Sequence, residues 1–566
     1  MKKVSLLIAS IAFCIFVMAQ NTAVFENFQY TAVNRFAAQT TKNQYQNPIL
    51  AGFMPDPSIC RKGDDYYLVN STFSYFPGVP IWHSKDLVNW TQIGHVLNRE
   101  SQLRLRNSAM SQGVYAPDIK YNPHNNLFYM ITTGTGYGST TIVTTDDPMK
   151  QNWSDPIVLN DVRGIDPGIF FDEDGKSYIV NNEEPAYPAE YDGHRAIWIR
   201  EFDWKTGKTV GAKQVIVDKG VRKEDKPIWI EGPHIYKING IYYLMCAEGG
   251  TASWHSEVVF TAEKPFGPYT PCKTNPILTQ RLLPSDRKNP VTSTGHADLV
   301  QTAAGDWYAV FLACMPYRGG LYNTGRETFL LPVTWKDGQP IILPAGQEVP
   351  YSVNKSAEQL KLEKKFKQKG FDFYNPGPLW TSKGLKDHAV FIRNPSDKFY
   401  SIDPKNQLTM SLKNVGLFER SNPAFIGQRI TTWYFTTITT LQCTPTSAKD
   451  FAGIALFQND EYYMQFGMTI DSTTHKPALL LEAIKGGKSI SRYLMPLSDA
   501  IAKGKISLKV QAIMPDSYAF SYSTNLGKTW SPVGAPLDAT ILSTQLASGF
   551  QGATIGLYAT SKLFLR

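Results

Sequence analysis

Cysteine is scarce in this sequence, which contains six cysteines among 566 residues. One of them, Cys14, lies in the apolar N-terminal segment. The other five lie at wide and irregular spacing: Cys60, Cys246, Cys272, Cys314 and Cys443. An odd number without close pairs argues against a disulfide framework and against a clustered zinc site. We therefore expect these five cysteines to be buried free thiols.

Long apolar runs are absent after the first 19 residues. Residues 1–19 begin with a pair of lysines, continue as an apolar run over 4–18 and end at the small residue Ala19, a pattern typical of a cleaved signal peptide. A membrane anchor is the alternative, but the run is short for a span. Lipoprotein cleavage before Cys14 is disfavoured because bulky Phe13 precedes it. We predict a secreted or periplasmic protein with no membrane contact after cleavage.

A strong excess of one charge is also absent. The formal net charge is +8 and falls to +6 when the two N-terminal lysines are removed, which is mild for this length. The one dense basic run is KLEKKFKQKG at 361–370, and it suits a solvated linker better than a nucleic-acid contact. We therefore predict no nucleic-acid partner.

Aromatic and turn-forming residues are abundant instead. Aromatics make up 13% of the chain, beside 42 glycines and 36 prolines, a composition that favours strands joined by many turns. One unit recurs five times: a polar start, an apolar strand, a turn and an aromatic strand, which is the signature of a β-hairpin. The copies are MPDPSICRKGDDYYLV near 54, YAPDIKYNPHNNLFYM near 115, GIDPGIFFDEDGKSYIV near 164, WIEGPHIYKINGIYYLM near 229 and GHADLVQTAAGDWYAV near 295.

The spacing of the five copies indicates the architecture. They lie 60, 50, 66 and 64 residues apart when aligned on one marker residue each: Ile59, Ile119, Ile169, Ile235 and Leu299. Each interval is long enough for a four-stranded blade, so the sequence predicts an all-β fold with a five-bladed β-propeller over 46–345. Residues 20–45 are expected as an N-terminal extension and 346–370 as a linker. Alternating strands over 371–566 predict a C-terminal β-sandwich domain.

Acidic residues occupy the starts of three copies. Asp56 and Asp166 stand three positions before their markers, whereas Glu231 stands one residue further back in the fourth copy. Two short acids and one long acid around one channel suit inverting glycoside hydrolysis, which needs an acid and a base about 6.5–9.5 Å apart. The alternative is that such an Asp only binds turn amides. Asp118 and Asp298, in the alternate register, are expected to be structural.

Seven stretches in the right order resemble glycoside hydrolase family 43, in particular its β-xylosidase and α-L-arabinofuranosidase members. They are NPILAGFMPDPSI, STFSYFPGVPIWHSKDLVNW, GIDPGIFFD, EGPHIYKINGIYYL, AEGGT, GHADLVQT and GRETFLLPVTWKDGQP, spread over about 46–342. The resemblance implies that Asp56 is the general base, that Asp166 tunes the pKa of the acid and orients it, and that Glu231 is the general acid.

The resemblance also implies residues that line the sugar site. Phe73 and Tyr115 match aromatic positions, Arg326 matches an arginine that bonds sugar hydroxyls, and His255 resembles a pocket histidine. Packing or a surface ion pair is the alternative for each. The resemblance further implies that His296 either coordinates a structural calcium ion or bonds waters alone, and that catalysis requires no other cofactor.

The C-terminal part resembles the accessory sandwich domain of these xylosidases more weakly. A loop of that domain can close the pocket in such enzymes, and Phe550 in SGFQGATIG is the candidate here, with structural packing as the alternative. The expected partner is a plant cell-wall oligosaccharide derived from xylan or arabinoxylan. The oligomeric state stays open.

The sequence distinguishes several rival functions. We expect a β-xylosidase because the stretches SYFPGVPIWHS and GRETF look most like that group. An α-L-arabinofuranosidase or both activities are the alternative, since the insertion PAYPAEYDGHRAIW at 185–198 and the turn between Arg318 and Arg326 depart from the xylosidases that are similar elsewhere. A retaining fructosidase is disfavoured because the first acid lies in M-P-D-P rather than in a W-M-N-D-P motif. A non-catalytic glycan-binding propeller is disfavoured because all three acids are present.

Overall fold

The structure is a computed structural model that describes residues 21–35, 37–134 and 139–564. The predicted signal peptide, 1–19, lies outside the described residues. Strands dominate this part of the chain, and the five cysteines within it are buried and free, as expected. No helix of these ranges is long and apolar enough to cross a membrane. The α-helices described are Ala357–Phe366, Asp499–Ala502 and Thr544–Ala547, and the 3-10 helices are Ala37–Gln39, Pro148–Lys150, Lys223–Asp225 and Ala539–Leu542.

Five antiparallel sheets follow one another along the chain, and each begins with one of the five repeated hairpins. We call them propeller sheets 1 to 5. Their strands are Ser58–Lys62, Asp65–Val69, Gly78–Ser84 and Thr91–Leu97 (sheet 1); Asp118–Asn122, Leu127–Gly134, Ser139–Thr145 and Ile157–Leu159 (sheet 2); Ile165–Phe171, Ser177–Glu183, Ala196–Asp203 and Lys208–Asp218 (sheet 3); Glu231–Ile238, Ile241–Glu248, Ser256–Ala262, Thr270–Pro271 and Leu278–Thr279 (sheet 4); Thr292–Gln301, Trp307–Cys314, Arg326–Lys336 and Gln339–Ile341 (sheet 5). The propeller predicted from the repeats is therefore present.

Two larger sheets pack face to face as a β-sandwich, because their alternating apolar residues share one core. The first contains Thr22–Phe25, Gln29–Ala32, Tyr400–Ile402, Leu408–Ser411, Phe435–Cys443, Ile506–Met514, Ser517–Ser523, Ser531–Pro532 and Leu537–Asp538. The second contains Ala424–Arg429, Phe451–Asn459, Tyr462–Ile470, Pro477–Lys485, Lys488–Pro496 and Thr554–Thr560. The predicted C-terminal sandwich is confirmed.

The N-terminal segment 20–45, expected as an extension, supplies two strands to this sandwich. Thr22–Phe25 pairs with Phe435–Cys443, and Gln29–Ala32 pairs with the same strand further along. Phe25 and Phe28 are buried in the sandwich core. Their burial attaches the N-terminal segment to strands that come much later in the sequence. The strand that follows, Gln44–Gln46, pairs with Ser352–Asn354.

The segment 346–370, expected as a linker, is ordered locally. The basic run lies mostly on the helix Ala357–Phe366, which begins with a capping box between Ser356 and Gln359. The side chain of Ser356 accepts the Gln359 N–H, and the Gln359 side chain accepts the Ser356 N–H, which satisfies two amides that a helix start leaves free. Two further short strand pairs are Trp380–Thr381 with Gly384–Leu385, and Tyr75–Phe76 with Phe391–Ile392. The second of these joins the propeller to the sandwich.

A buried polar network joins all five propeller sheets around the central channel. Asp298 Oδ2 accepts the Ile59 N–H at 2.8 Å, and Asp118 Oδ2 accepts the Ile169 N–H at 2.8 Å. The ammonium of Lys120 lies 3.0 Å from Asp118 Oδ1 and 2.7 Å from Asp298 Oδ2. Sheet 4 contributes Tyr236, whose hydroxyl donates to Asp298. These bonds give Asp118 and Asp298 the structural positions expected from their register.

We expect Lys120→Met to destabilise the protein by about 3–5 kcal/mol, because it leaves two carboxylates buried without their cation. Urea unfolding followed by tryptophan fluorescence measures the change. Lys264→Met, at an exposed position next to sheet 4, is the control and should unfold like the parent. Equal urea midpoints for both variants would contradict the role given to the network.

Candidate active site

Four of the five sheets share an unusual backbone conformation at the repeat position that precedes the marker by three residues. The φ angles there are +48° at Asp56, +54° at Asp166, +57° at Gly232 and +53° at His296. Residues with side chains adopt this left-handed region at a cost of about 1–2 kcal/mol, and such strain concentrates at functional sites. The repeat in the sequence is therefore accompanied by a repeated backbone conformation at this position.

Gly232 explains why the acid of sheet 4 stands one residue earlier. A Cβ atom at Gly232 would lie only 3.0 Å from the ring of His296, so the repeat position of this sheet has no room for a side chain. Glu231, the residue before it, begins the strand and is buried. The Gly232 N–H in turn donates to Asp166 Oδ2 at 3.2 Å, which ties the two acid-bearing sheets together.

The three predicted acids line one cavity of about 440 Å³. Most of the other residues expected at the sugar site line the same cavity: Phe73, Tyr115, His296, Arg326 and Phe550. His255 does not line it. Its Nδ1 lies 3.0 Å from the carbonyl oxygen of Ser293, and burial lowers the pKa of His255 to about 3. A neutral, buried His255 thus supports the start of sheet 5 rather than contacting a ligand in the cavity.

The carboxyl of Asp56 is held in its ionised form. Burial alone would raise the pKa of Asp56, but the Arg326 guanidinium, His296 and the Ser71 hydroxyl together lower it. Arg326 Nη1 lies 3.2 Å from Asp56 Oδ1, and Ser71 Oγ donates to Oδ2 at 2.6 Å. Arg326 is the partner that matters at neutral pH, because burial lowers the pKa of His296 to about 4. An ionised carboxylate in this position can accept a proton from water.

Glu231 and Asp166 are shifted in the opposite direction. Burial and then the charges of Asp166 and Asp56 raise the pKa of Glu231 well above its usual value. Burial and then the charge of Asp56 raise the pKa of Asp166 to about 7. Two carboxyls that disfavour each other's ionisation titrate as a pair. This pair therefore retains a proton at neutral pH, which a general acid requires, while Asp56 has none.

An aromatic wall closes one side of the cavity and includes a residue of the sandwich. The rings of Phe73 and Phe550 are stacked with centroids 5.7 Å apart, and Phe73 meets Tyr115 edge to face at 5.6 Å. The guanidinium carbon of Arg326 lies 5.4 Å from the Phe550 ring centre, and Arg326 Nη2 donates to the Phe550 carbonyl at 3.3 Å. Phe550 stays 37% exposed, so it presents an apolar face to the cavity.

The calcium site expected at His296, with waters as further ligands, stays a prediction. Calcium takes six to eight oxygen ligands. Among the described residues, Asp56 is the carboxylate within ion-pair distance of His296, at 3.8 Å from Nδ1, and it is already bonded to Ser71 and Arg326. A second group, Asp118, His234 and Asp298, has metal-binding geometry, but the Lys120 ammonium contacts both of its carboxylates.

Two residues that the sequence did not single out form a further part of the cavity lining. Trp229 and Arg195 line the cavity, and the Arg195 guanidinium carbon lies 4.3 Å from the Trp229 ring centre. The insertion 185–198 holds both: it contains Arg195, and the carbonyl of Gly193 accepts the Trp229 N–H at 2.8 Å. The unplaced insertion was the signal that could have pointed to them.

We expect Gly232→Ala to reduce turnover by about tenfold, because the added methyl must displace the His296 ring, which lies beside Asp56, by a few tenths of an ångström. Steady-state kinetics measure the loss. Gly240→Ala is the matched control: Gly240 lies in the same hairpin at φ +82°, but a Cβ there meets nothing within 4 Å. Equal losses in both variants would mean that backbone strain, and not the contact with His296, limits activity.

Two family models match the chain. Glycosyl hydrolases family 43 matches residues 45–340, and the beta xylosidase C-terminal concanavalin A-like domain matches residues 380–563. The chain is 38% identical over 518 residues to a xylosidase/arabinosidase of Butyrivibrio fibrisolvens, covering 91% of this chain and 95% of that protein. It is 34% identical over 524 residues to the non-reducing end alpha-L-arabinofuranosidase BoGH43B of Bacteroides ovatus, covering 91% of each.

A solved structure extends the similarity over nearly the whole chain. The crystal structure of a GH43_12 protein from a capybara gut metagenome superposes with a TM-score of 0.86 at 40% sequence identity, covering 96% of this chain and 100% of that one. Both the propeller and the sandwich are thus shared with a solved family member. The chain belongs to glycoside hydrolase family 43 and is a glycosidase.

Proposed function

We propose that this glycosidase releases terminal pentoses, foremost β-D-xylose, from oligosaccharides of xylan or arabinoxylan by a single displacement with inversion. The observation that carries the proposal is the asymmetry of the three carboxyls in one cavity: Asp56 has a lowered pKa, while Glu231 and Asp166 have raised values. Inversion needs such a division between an ionised base and a protonated acid. The names of the relatives support pentosides as substrates.

Each carboxyl has a defined task in this mechanism. Asp56 removes a proton from the attacking water, and its bonds to Ser71 and Arg326 fix the orientation of the carboxylate. Glu231 donates its proton to the departing glycosidic oxygen. Asp166 raises the pKa of Glu231 and, through the Gly232 amide, fixes the start of its strand. The negative charge around the sugar also stabilises the oxocarbenium-like transition state.

The aromatic wall supports attack at a chain end. Phe550 stacks on Phe73 and is joined to Arg326, so the sandwich covers the side of the cavity beside the base. A polysaccharide cannot continue through that side, whereas a terminal sugar can place its apolar face against the rings.

The second candidate is α-L-arabinofuranosidase activity, alone or beside xylosidase activity. The Bacteroides relative is named for it, and the two pentoses present similar hydroxyls. Arg195 belongs to the insertion, and Gly193 of the insertion holds Trp229, so this part of the cavity lining depends on a segment outside the repeat. Cleavage of the predicted signal would place the enzyme in the periplasm or outside the cell.

We expect Glu231→Gln to lose about 10²–10⁴-fold in turnover of xylobiose, whose leaving oxygen needs a proton. The same variant should hydrolyse a dinitrophenyl xyloside at nearly the parental rate, because that leaving group departs without protonation. Steady-state kinetics on both substrates measure the contrast. Glu263→Gln, an exposed glutamate next to the same sheet, is the control and should behave like the parent on both.

Product configuration and sugar preference test the remaining steps. Proton NMR of the first product should show the inverted anomer, and a retained anomer would contradict the base role of Asp56. Parallel rates on an aryl β-D-xylopyranoside and an aryl α-L-arabinofuranoside decide between the two sugars. If neither is hydrolysed by folded protein, the proposed substrate class is wrong.

We expect Asp166→Asn to move the alkaline limb of the kcat/KM profile to lower pH. Removing the Asp166 charge removes one of the causes that raise the pKa of Glu231, so the acid loses its proton at a lower pH. The profile of kcat/KM against pH reports the free enzyme, and an activated aryl xyloside keeps the rate measurable. A limb that stays in place or moves to higher pH would contradict this coupling.

A further inference from the structure

A second cavity of about 750 Å³ lies beside the catalytic one. Ile228 and Gly249 line the second cavity, while the next residue of each segment, Trp229 and Gly250, lines the catalytic cavity. The Gly249 N–H donates to the Ile228 carbonyl at 2.9 Å. The two cavities are thus separated by two hydrogen-bonded segments. One of these segments consists of glycines, Gly249 and Gly250, and so adds no side chains to the wall.

The second cavity exposes apolar side chains that a folded protein usually covers. Trp254 is 57% exposed and Ile228 is 40% exposed, and both line it. Large exposed aromatic faces mark binding sites more often than scattered aliphatic residues do. An indole face suits the apolar face of a pyranose ring, so the cavity has a platform for one sugar.

The charge of this cavity is positive and incompletely paired. Arg222, Lys226 and Arg281 line it. Arg222 pairs with Asp225 at 2.7 Å. The half-buried Arg281 makes no ion pair within the described residues; its Nη2 donates to the Ser256 hydroxyl at 3.0 Å.

Glu248, an acidic residue of the same cavity, forms no ion pair with Arg281. Glu248 lines the same cavity, but it accepts the Val221 N–H at 2.8 Å, and burial raises the pKa of its carboxyl. Burial lowers the pKa of Arg281, and the charge of Glu248 only partly offsets this effect, as expected of a guanidinium that has lost water without gaining a directly paired anion. A carboxylate entering the cavity would supply the missing partner in the planar geometry that arginine prefers.

We infer that the second cavity binds an acidic sugar, a uronic acid residue in the leaving-group portion of the oligosaccharide. The inference rests on the proposed function and adds a subsite to it. The pyranose ring of the uronic acid stacks on Trp254, and its carboxylate pairs with Arg281. Adjacent residues, Ile228 and Trp229, line the two cavities, and the inferred oligosaccharide places its terminal pentose in the catalytic cavity and its acidic branch in the other.

The test compares two xylo-oligosaccharides of equal length, one neutral and one carrying a glucuronic acid branch, beside an aryl xyloside. We expect the parent enzyme to prefer the acidic oligosaccharide by about tenfold in kcat/KM, and the preference to fall with added salt. Arg281→Gln should abolish the preference without changing turnover of the aryl xyloside. Lys223→Gln, exposed on the neighbouring 3-10 helix and outside the cavity lining, is the control and should keep it.

Two outcomes would overturn the inference: no preference in the parent enzyme, or an unchanged preference in Arg281→Gln. Trp254→Ala is a second variant, and it should weaken binding of the acidic oligosaccharide. Because Trp254 is exposed, we expect this variant to fold like the parent. If the aryl xyloside is not hydrolysed at all, the proposed function fails. Calorimetric binding of the acidic oligosaccharide to the parent and to Arg281→Gln then still decides whether the cavity binds it.

Discussion

The structure depends on two buried carboxylates, Asp118 and Asp298, that bond backbone amides of neighbouring sheets. Each fixes the first strand of one sheet against the next, through Ile59 and Ile169. The Lys120 ammonium offsets the cost of burying both charges. Since Asp56 and Asp166 stand three positions before Ile59 and Ile169, this network also holds the strands that follow these two acids.

One backbone position therefore gives different chemistry on different sheets. Asp56, Asp166, Gly232 and His296 share the left-handed conformation, but their neighbours differ. Arg326 lowers the pKa of Asp56, whereas burial and the nearby Asp56 raise that of Asp166. The repeat supplies a common geometry, and the side chains around each position determine which carboxyl is ionised.

The sequence predicted the features that depend on local pattern. The hairpin repeat predicted the propeller sheets, and the positions of Asp56, Asp166 and Glu231 in it predicted that these acids meet in one cavity. Long-range pairing was missed: nothing local shows that Thr22–Phe25 joins Phe435–Cys443. The polar network was only partly foreseen, because the register of Asp118 indicated a structural role but not its partner Lys120.

Two parts of the cavity lining lie outside the polar network of Asp118, Asp298 and Lys120. Trp229 is held by the insertion through Gly193, and Phe550 comes from the sandwich, so neither belongs to the network that positions the acids. Substitutions in these walls can change which sugar or branch is accepted while the carboxyl geometry stays constant. A scaffold that separates the positioning of the acids from the recognition of the sugar lets one set of catalytic acids act on different pentosides.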